Sequence, residues 1–462
     1  MECQGYRFAL QPTAAQQRAP GSHCGAARYA FNWGLEQVRA SMALRELELC
    51  MVGNVRTPPL GWSLPALRRE WNAQKGVQAP WWRENSKEAY SSGLDALARA
   101  LRAWSESRQG KRAGGRVGFP HFRRRSSPMG CRFATGAIRV RDERHVVLPR
   151  IGRVRTCEDT SALLRPVRDV RARILNATVS YETGPWFVAF GCEVKRQVVA
   201  SNGHDDTVGV DVGVLTLATL STGEVVPGPR ALRVGLRKLR RLSRHHSHSQ
   251  RGSANRRKAA TRLARHHARG ANLRRDHLHK LTTRLAKNHG RIVVEDLNVS
   301  GMSRSARGTR DQPGRSVRRG LADASFGELH RQLQYKCRWY GAELVVADRF
   351  FPSSRTCSRC GAALADLQLA ERTFRCQSCG LSLDRDLNAA INLAGWAHPD
   401  VAGSAPETRN ACPRGGQPAL CAVAPMTQET GASRSPPAHP AVALIDRDSL
   451  LRHDCERPYS TA

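Results

Sequence analysis

RTFRCQSCGLSLDRDLNAAINLAGW, residues 372–396, runs from a Cys-x-x-Cys pair through two aspartates into a short helical pattern. A second pair, Cys357 and Cys360, precedes it, with 15 residues between the pairs. Four thiolates at this spacing make a closed tetrahedral site, so Cys357, Cys360, Cys376 and Cys379 are expected to hold one structural Zn²⁺. Gly361 and Gly380 follow the two pairs, where each knuckle needs a tight turn. A knuckle this close to Asp384 and Asp386 is either a clip beside an ordinary helix start or a device that holds an acidic residue in place.

Two other acids sit where strands end. Asp211 closes the apolar run in TVGVDVGV, and Glu295 closes Ile-Val-Val in GRIVVEDLNVS. Strand ends at one edge of a sheet open into a common crevice, so Asp211, Glu295 and Asp386 can meet there. Converging carboxylates need cations, and two Mg²⁺ ions about 3.5–4 Å apart suit phosphodiester hydrolysis. Asp296, Asp348 and Asp384 are nearby acids of lower rank; Asp384 competes with Asp386 for the start of the helix.

The chain around these motifs has 462 residues and a formal charge of +35, from 74 Lys and Arg against 39 acids. That excess implies a polyanionic partner, with nucleic acid first. No apolar run approaches the roughly 20 residues a membrane span needs. MECQGYRFALQPTAAQQ lacks a signal-peptide core, so export is not expected. Residues 1–130 read as mainly helical, with Asn85 and Glu88 in capping-box positions before Tyr90, Leu94, Leu97, Leu101 and Trp104 at helical spacing. Residues 131–200 change to strand alternation, with a hairpin turn at Glu-Thr-Gly-Pro. From residue 205 an α/β pattern begins, and Ser325 and Glu328 form a second candidate capping box.

Residues 231–290 hold 18 Lys and Arg and one acid, Asp276. Such a one-sided helical stretch favours phosphate contact, for which Arg237, Lys238, Arg240, Arg241, Arg256, Arg257 and Lys258 are candidates. RHHSHSQ, residues 244–250, reads as a solvated turn. GGRVGFPHFRRR lacks the Gly-Lys-Ser/Thr of a nucleotide loop; its Phe119 and Phe122 either stack on bases or anchor the loop. The Pro/Gly/Ser-rich residues 399–462 predict a disordered tail, whose Cys412, Cys421 and Cys455 carry no readable site.

VGVDVGV, IVVEDLNV, LQYKCRWYGAELVVADRFFPSSRTCSRCG and RCQSCGLSLDRDLNAAINL together resemble the TnpB/OrfB proteins of bacterial insertion sequences, relatives of type V CRISPR nucleases. YRFALQPTAAQQ, GAARYAFNWGL and GFPHFRRR add support, and the resemblance spans about residues 5 to 397. It implies an α/β, RNase H-like (RuvC-type) nuclease domain with an inserted zinc ribbon, preceded by a small β-barrel carrying a helical lobe. The implied division is an N-terminal strand and recognition lobe over 1–130, the rest of the barrel over 131–204, and the nuclease domain over 205–356 and 381–398. The ribbon then occupies 357–380. Pro20 and Gly21 interrupt a stretch that the family pattern makes helical, which sets the sequence against a continuous first helix.

The resemblance implies an RNA-guided, Mg²⁺-dependent DNA endonuclease that cuts beside a short adjacent motif. Its partners would be a transposon-encoded guide RNA and double-stranded target DNA, with no membrane or small-molecule substrate, in the bacterial cytoplasm at the nucleoid. Asp211, Glu295 and Asp386 match the three RuvC carboxylates. Asp386 is preferred to Asp384 by the pattern Asp-x-Asn-Ala-Ala. The alternatives are a DNA strand-transfer transposase, which the order Asp, Glu, Asp disfavours, and a non-cleaving RNA-guided repressor, which would lack one of the carboxylates.

Overall fold

The computed structural model describes residues 1–112, 114–134, 136–196, 206–305, 314–364 and 371–396; the expected tail, 399–462, lies outside them. Strand β1 (Glu2–Gln11) is followed by helices α1 (Arg18–Val52), α2 (Leu64–Gln78) and α3 (Lys87–Arg108). Strands β2 (Met129–Phe133), β3 (Arg139–Asp142), β4 (His145–Leu148) and β5 (Gly152–Thr156) come next. Helix α4 (Ser161–Arg168) then leads to β6 (Ala172–Tyr181) and β7 (Trp186–Val194). All seven strands pair antiparallel in the order β2-β6-β7-β1-β5-β4-β3. Strict alternation drives this: Trp186, Val188, Phe190, Cys192 and Val194 of β7 are buried, and the residues between them are less so. The ladder is open, because among the described residues no pairing joins β2 to β3, where a closed barrel would need one. Phe8 and Phe190 share one core with Phe31, Trp33, Trp71, Tyr90 and Leu94: α1 and α3 pack onto the sheet at β2, and α2 packs on those two helices.

The second half is built on five strands: β8 (Thr207–Asp211), β9 (Ala218–Leu220), β10 (Val225–Val226), β11 (Arg291–Glu295) and β12 (Glu343–Ala347). Their order is β10-β9-β8-β11-β12, with an antiparallel meander on one side and β8, β11 and β12 parallel on the other. Two long helices, α5 (Ala231–His248) and α6 (Ala254–Asn288), link β10 to β11. Helices α7 (Val299–Ser305), α8 (Gly314–Ala324) and α9 (Phe326–Tyr340) link β11 to β12. A two-stranded hairpin, β13 (Thr373–Arg375) and β14 (Ser382–Asp384), leads into α10 (Arg385–Trp396), which lies across β8. No helix among the described residues is long and apolar enough to cross a membrane.

Three local expectations are corrected. Helix α1 runs unbroken through Pro20 and Gly21, because Pro20 falls in the first turn, where no intrahelical N–H bond is lost. The cap of α3 is Ser86, whose side chain accepts from Glu88 N–H; Glu88 itself turns away to accept from Ala134 N–H at 3.2 Å. Ser325 stands in the left-handed region (φ 54°) and makes no side-chain cap, and Glu328 pairs instead with Arg331 and Gln332. Between α6 and α9, the Lys336 ammonium is buried and donates to His279 C=O, Thr282 Oγ1 and Thr283 Oγ1 at 2.7–2.8 Å. Burial lowers its pKa to about 8, against the pull of Glu328.

Candidate functional site

Asp211 is the last residue of β8 and Glu295 the last of β11, and the two strands are parallel neighbours. Both carboxylates therefore leave the same end of the sheet. Helix α10 brings the third. Gly209 makes this approach possible: a Cβ there would lie 1.9 Å from Ala390 C=O and 2.5 Å from Ala394 N. The helix thus rests directly on the strand backbone, with Asp386 in its first turn. Burial, with the negative charges of Glu295, Asp386 and Asp384, pushes Asp211 up to about 8, and Arg385 offsets this in part. The three acids thus share one field, although their oxygens are not gathered as tightly as the four thiols, which alone among the described residues lie within 4.8 Å of one another.

The two aspartates of the opening motif have separate positions. Asp384 Oδ1 accepts from the N–H groups of Asp386 and Leu387 at 3.0 and 3.1 Å, which makes it the cap of α10. Asp386, free of the cap role, acts on Asp211 through its charge and has Arg385 at 3.5 Å and Arg372 at 3.7 Å. Ser353, which is buried, donates to Glu295 Oε1 at 2.5 Å and fixes its direction. Nothing in the sequence pattern singled out Ser353, Arg372 or Arg385. An oppositely charged ion suits this donor set, because a buried Asp211 between two further acids lacks sufficient positive compensation.

The knuckles answer to the sequence closely. Cys357 and Cys379 sulfurs are 3.6 Å apart, as are those of Cys360 and Cys376. Tetrahedral Zn²⁺ with Zn–S near 2.3 Å requires sulfurs about 3.8 Å apart, so the four thiols fit that ion. Gly361 (φ 75°) and Gly380 (φ 74°) close the two turns, donating to Cys357 and Cys376 C=O. The four thiols titrate together as one group: backbone N–H groups of Cys379 and Ser378 favour the Cys376 thiolate, and the neighbouring sulfurs push the Cys360 thiol up. The clip is moored to α10 by two asparagines. Buried Asn388 donates to Thr356 C=O at 2.7 Å and accepts from Ser358 N–H at 3.0 Å; Asn392 donates to Ser353 and Thr356 C=O at 2.7 Å. Ser353 therefore touches Glu295 with its hydroxyl and the Asp386 helix through its carbonyl.

The basic stretch folds as the antiparallel pair α5 and α6. Arg237, Lys238, Arg240, Arg241, Arg257 and Lys258 are exposed on it. Arg256 is engaged in closing the hairpin, donating to His246 C=O at 3.1 Å and Ser249 C=O at 2.8 Å. Of the two loop phenylalanines, Phe119 is an anchor, edge-on to Trp104 at 4.9 Å; Phe122 is 46% exposed beneath the Arg39 guanidinium.

Comparison with known proteins adds three family matches. Residues 189–306 match an OrfB/IS605 model described as "Probable transposase", residues 326–393 a "Cas12f1-like, TNB domain" and residues 1–45 a "Helix-turn-helix domain". That last segment is here a strand followed by one long helix. A Mycobacterium tuberculosis protein named "Putative RNA-guided DNA endonuclease" is 42% identical over 413 residues, covering 86% of this chain and 87% of the relative. Escherichia coli InsQ, named likewise, is 32% identical over 86% of this chain and 93% of its own. Among solved structures, a Cas12f1–sgRNA–target DNA complex aligns over 86% of this chain and 99% of its own at 13% identity and a TM-score of 0.45, too distant to argue from.

Proposed function

Because the chain belongs to the IS605-type OrfB family, alongside relatives named as RNA-guided DNA endonucleases, we propose that it is itself an RNA-guided DNA endonuclease of such an element. Asp211, Glu295 and Asp386 are its catalytic carboxylates. The observation that carries this reading is the shared electrostatic field of three acids delivered by β8, β11 and α10 to one end of a sheet. The strand order β10-β9-β8-β11-β12 supports an RNase H-like nuclease domain made of residues 205–356 and 381–398, with residues 357–380 as an inserted zinc ribbon.

The three carboxylates would hold two Mg²⁺ ions, which when bound supply an activated water and charge stabilisation for phosphodiester hydrolysis. The chain's own work is placement. Ser353 aims the Glu295 carboxylate, Arg372 and Arg385 flank Asp386, and the four-cysteine clip holds α10 through Asn388 and Asn392. Guide RNA pairing selects the DNA beside a short adjacent motif, and the exposed cations of α5 and α6 hold nucleic acid by its backbone.

The test is cleavage and target binding by the RNA-loaded chain with Asp211→Ala, Glu295→Ala, Asp386→Ala and Asp384→Ala. The first three should bind target and not cut. Asp384→Ala should cut at a reduced rate, since it loses a helix cap. Cleavage by all four would refute the assignment, and activity of Asp386→Ala with an inactive Asp384→Ala would reverse the choice of aspartate.

A further inference from the structure

Phe350 is 86% exposed, beyond any other large hydrophobic side chain among the described residues. Its neighbours leave it no freedom to be a loose loop tip. Ahead of it, Arg349 donates to Asp296 Oδ2 at 2.5 Å, one residue beyond Glu295. Behind it, Phe351 packs on Trp396 with ring centroids 4.5 Å apart and on the core formed by Val293, Ala347 and Leu393. Its own N–H is bound by Asp348 Oδ1 at 2.8 Å. The same short loop ends at Ser353, the residue that aims Glu295. It begins after Ala347, which stands directly beside Glu295 in the β11–β12 register. An apolar ring thus stands in water on an anchored loop at the rim of the carboxylate site, in a chain of charge +35.

We propose that Phe350 is a stacking platform for a nucleobase of the DNA strand being cut, and that it holds that strand at the rim of the site formed by Asp211, Glu295 and Asp386. This rests on the nuclease reading above. A base offers its π-face whatever its identity, so an aromatic ring at the rim orders a single strand without selecting sequence. Phe350 takes no part in the chemistry; it acts by holding the strand.

The test uses the RNA-loaded full chain and a dye-labelled single-stranded DNA, intact or with abasic residues flanking the cut position. Phe350→Ala should raise KM by roughly 5- to 150-fold, the range for loss of one stacked base, while kcat changes little. Phe350→Trp should restore KM. The abasic substrate should show the same defect with the native chain and no further defect with Phe350→Ala. Affinity for the two DNAs, measured by anisotropy in high salt without divalent ions, reads the stack without cleavage, so the inference is tested even if the nuclease reading fails. If the native chain cuts and Phe350→Ala has an unchanged KM and affinity, the platform is refuted. A Phe350→Ala chain that only loses thermal stability would show that another segment of the chain covers the ring, which overturns the proposal as well.

Discussion

Replacing Gly209 by alanine adds one methyl group to β8, and that group touches no carboxylate. It would nevertheless stand 1.9 Å from Ala390 C=O and 2.5 Å from Ala394 N, both backbone atoms of α10. Neither atom can rotate away as the end of a side chain can, so α10 must withdraw by roughly 1 Å or more. Asp386 moves with it, while Asp211 and Glu295 stay on their strands. Overpacking of this kind costs about 1–3 kcal/mol of stability, and a misplacement of about 1 Å costs about 100-fold in rate. Gly209→Ala should therefore melt earlier and cleave about 100-fold more slowly, with zinc content and RNA binding kept. Gly25→Ala, past the second turn of α1 with nothing within 4 Å of the new methyl, is the control and should gain about 0.5–1 kcal/mol. Thermal melts and single-turnover cleavage measure both variants. A Gly209→Ala chain with native melting and native rate would refute the close packing of α10 on β8 as the source of the site's geometry.

Cys376→Ser should lower the metal content from about one zinc per chain, destabilise the region around α10 and slow cleavage; full zinc by elemental analysis with an unchanged melt would count against the four-cysteine assignment. Asp384→Ala should cost about 1 kcal/mol through loss of the α10 cap, measured by denaturant unfolding, and an unchanged midpoint would contradict the cap. Lys336 is disfavoured as a cation when folded, so the unfolded chain binds more protons between pH 8 and the ordinary lysine value of 10.5. Stability relative to Lys336→Met should therefore rise across that window, by at most about 3 kcal/mol, and a flat difference would contradict the burial of the charge.

Much of this was legible where local chemistry and tertiary placement agree. Four cysteines at knuckle spacing have few ways to fold, and the apolar runs ahead of Asp211 and Glu295 had to be buried strands. The capping boxes were less legible, because a Ser or Asn followed by Glu at the right spacing competes with tertiary partners: Glu88 found Ala134 N–H, and Glu328 found Arg331 and Gln332. Pro20 was misleading because its effect depends on its place in the helix, which spacing alone leaves uncertain by a turn. The tethering roles of Ser353, Asn388 and Asn392 were invisible for another reason, although Asn388 belongs to the Asp-x-Asn-Ala-Ala pattern. Their partners are backbone atoms or a distant glutamate, and no periodicity records such contacts.

The route by which Asp386 arrives also sets a timetable. Translation delivers Asp211 and Glu295 first, and N-terminal segments begin to fold before later ones leave the ribosome. Until α10 emerges, β8 has a bare backbone at Gly209 and the proposed site has two acids of three. Nascent chains and products truncated before residue 386 are then expected to be incapable of cutting, whatever nucleic acid their basic helices have already gathered. On the proposed assignment, α10, the last helix among the described residues, would complete the site and so serve as its arming step. Ribosome-stalled chains of graded length, assayed for nicking, would show activity only once that helix has cleared the exit tunnel.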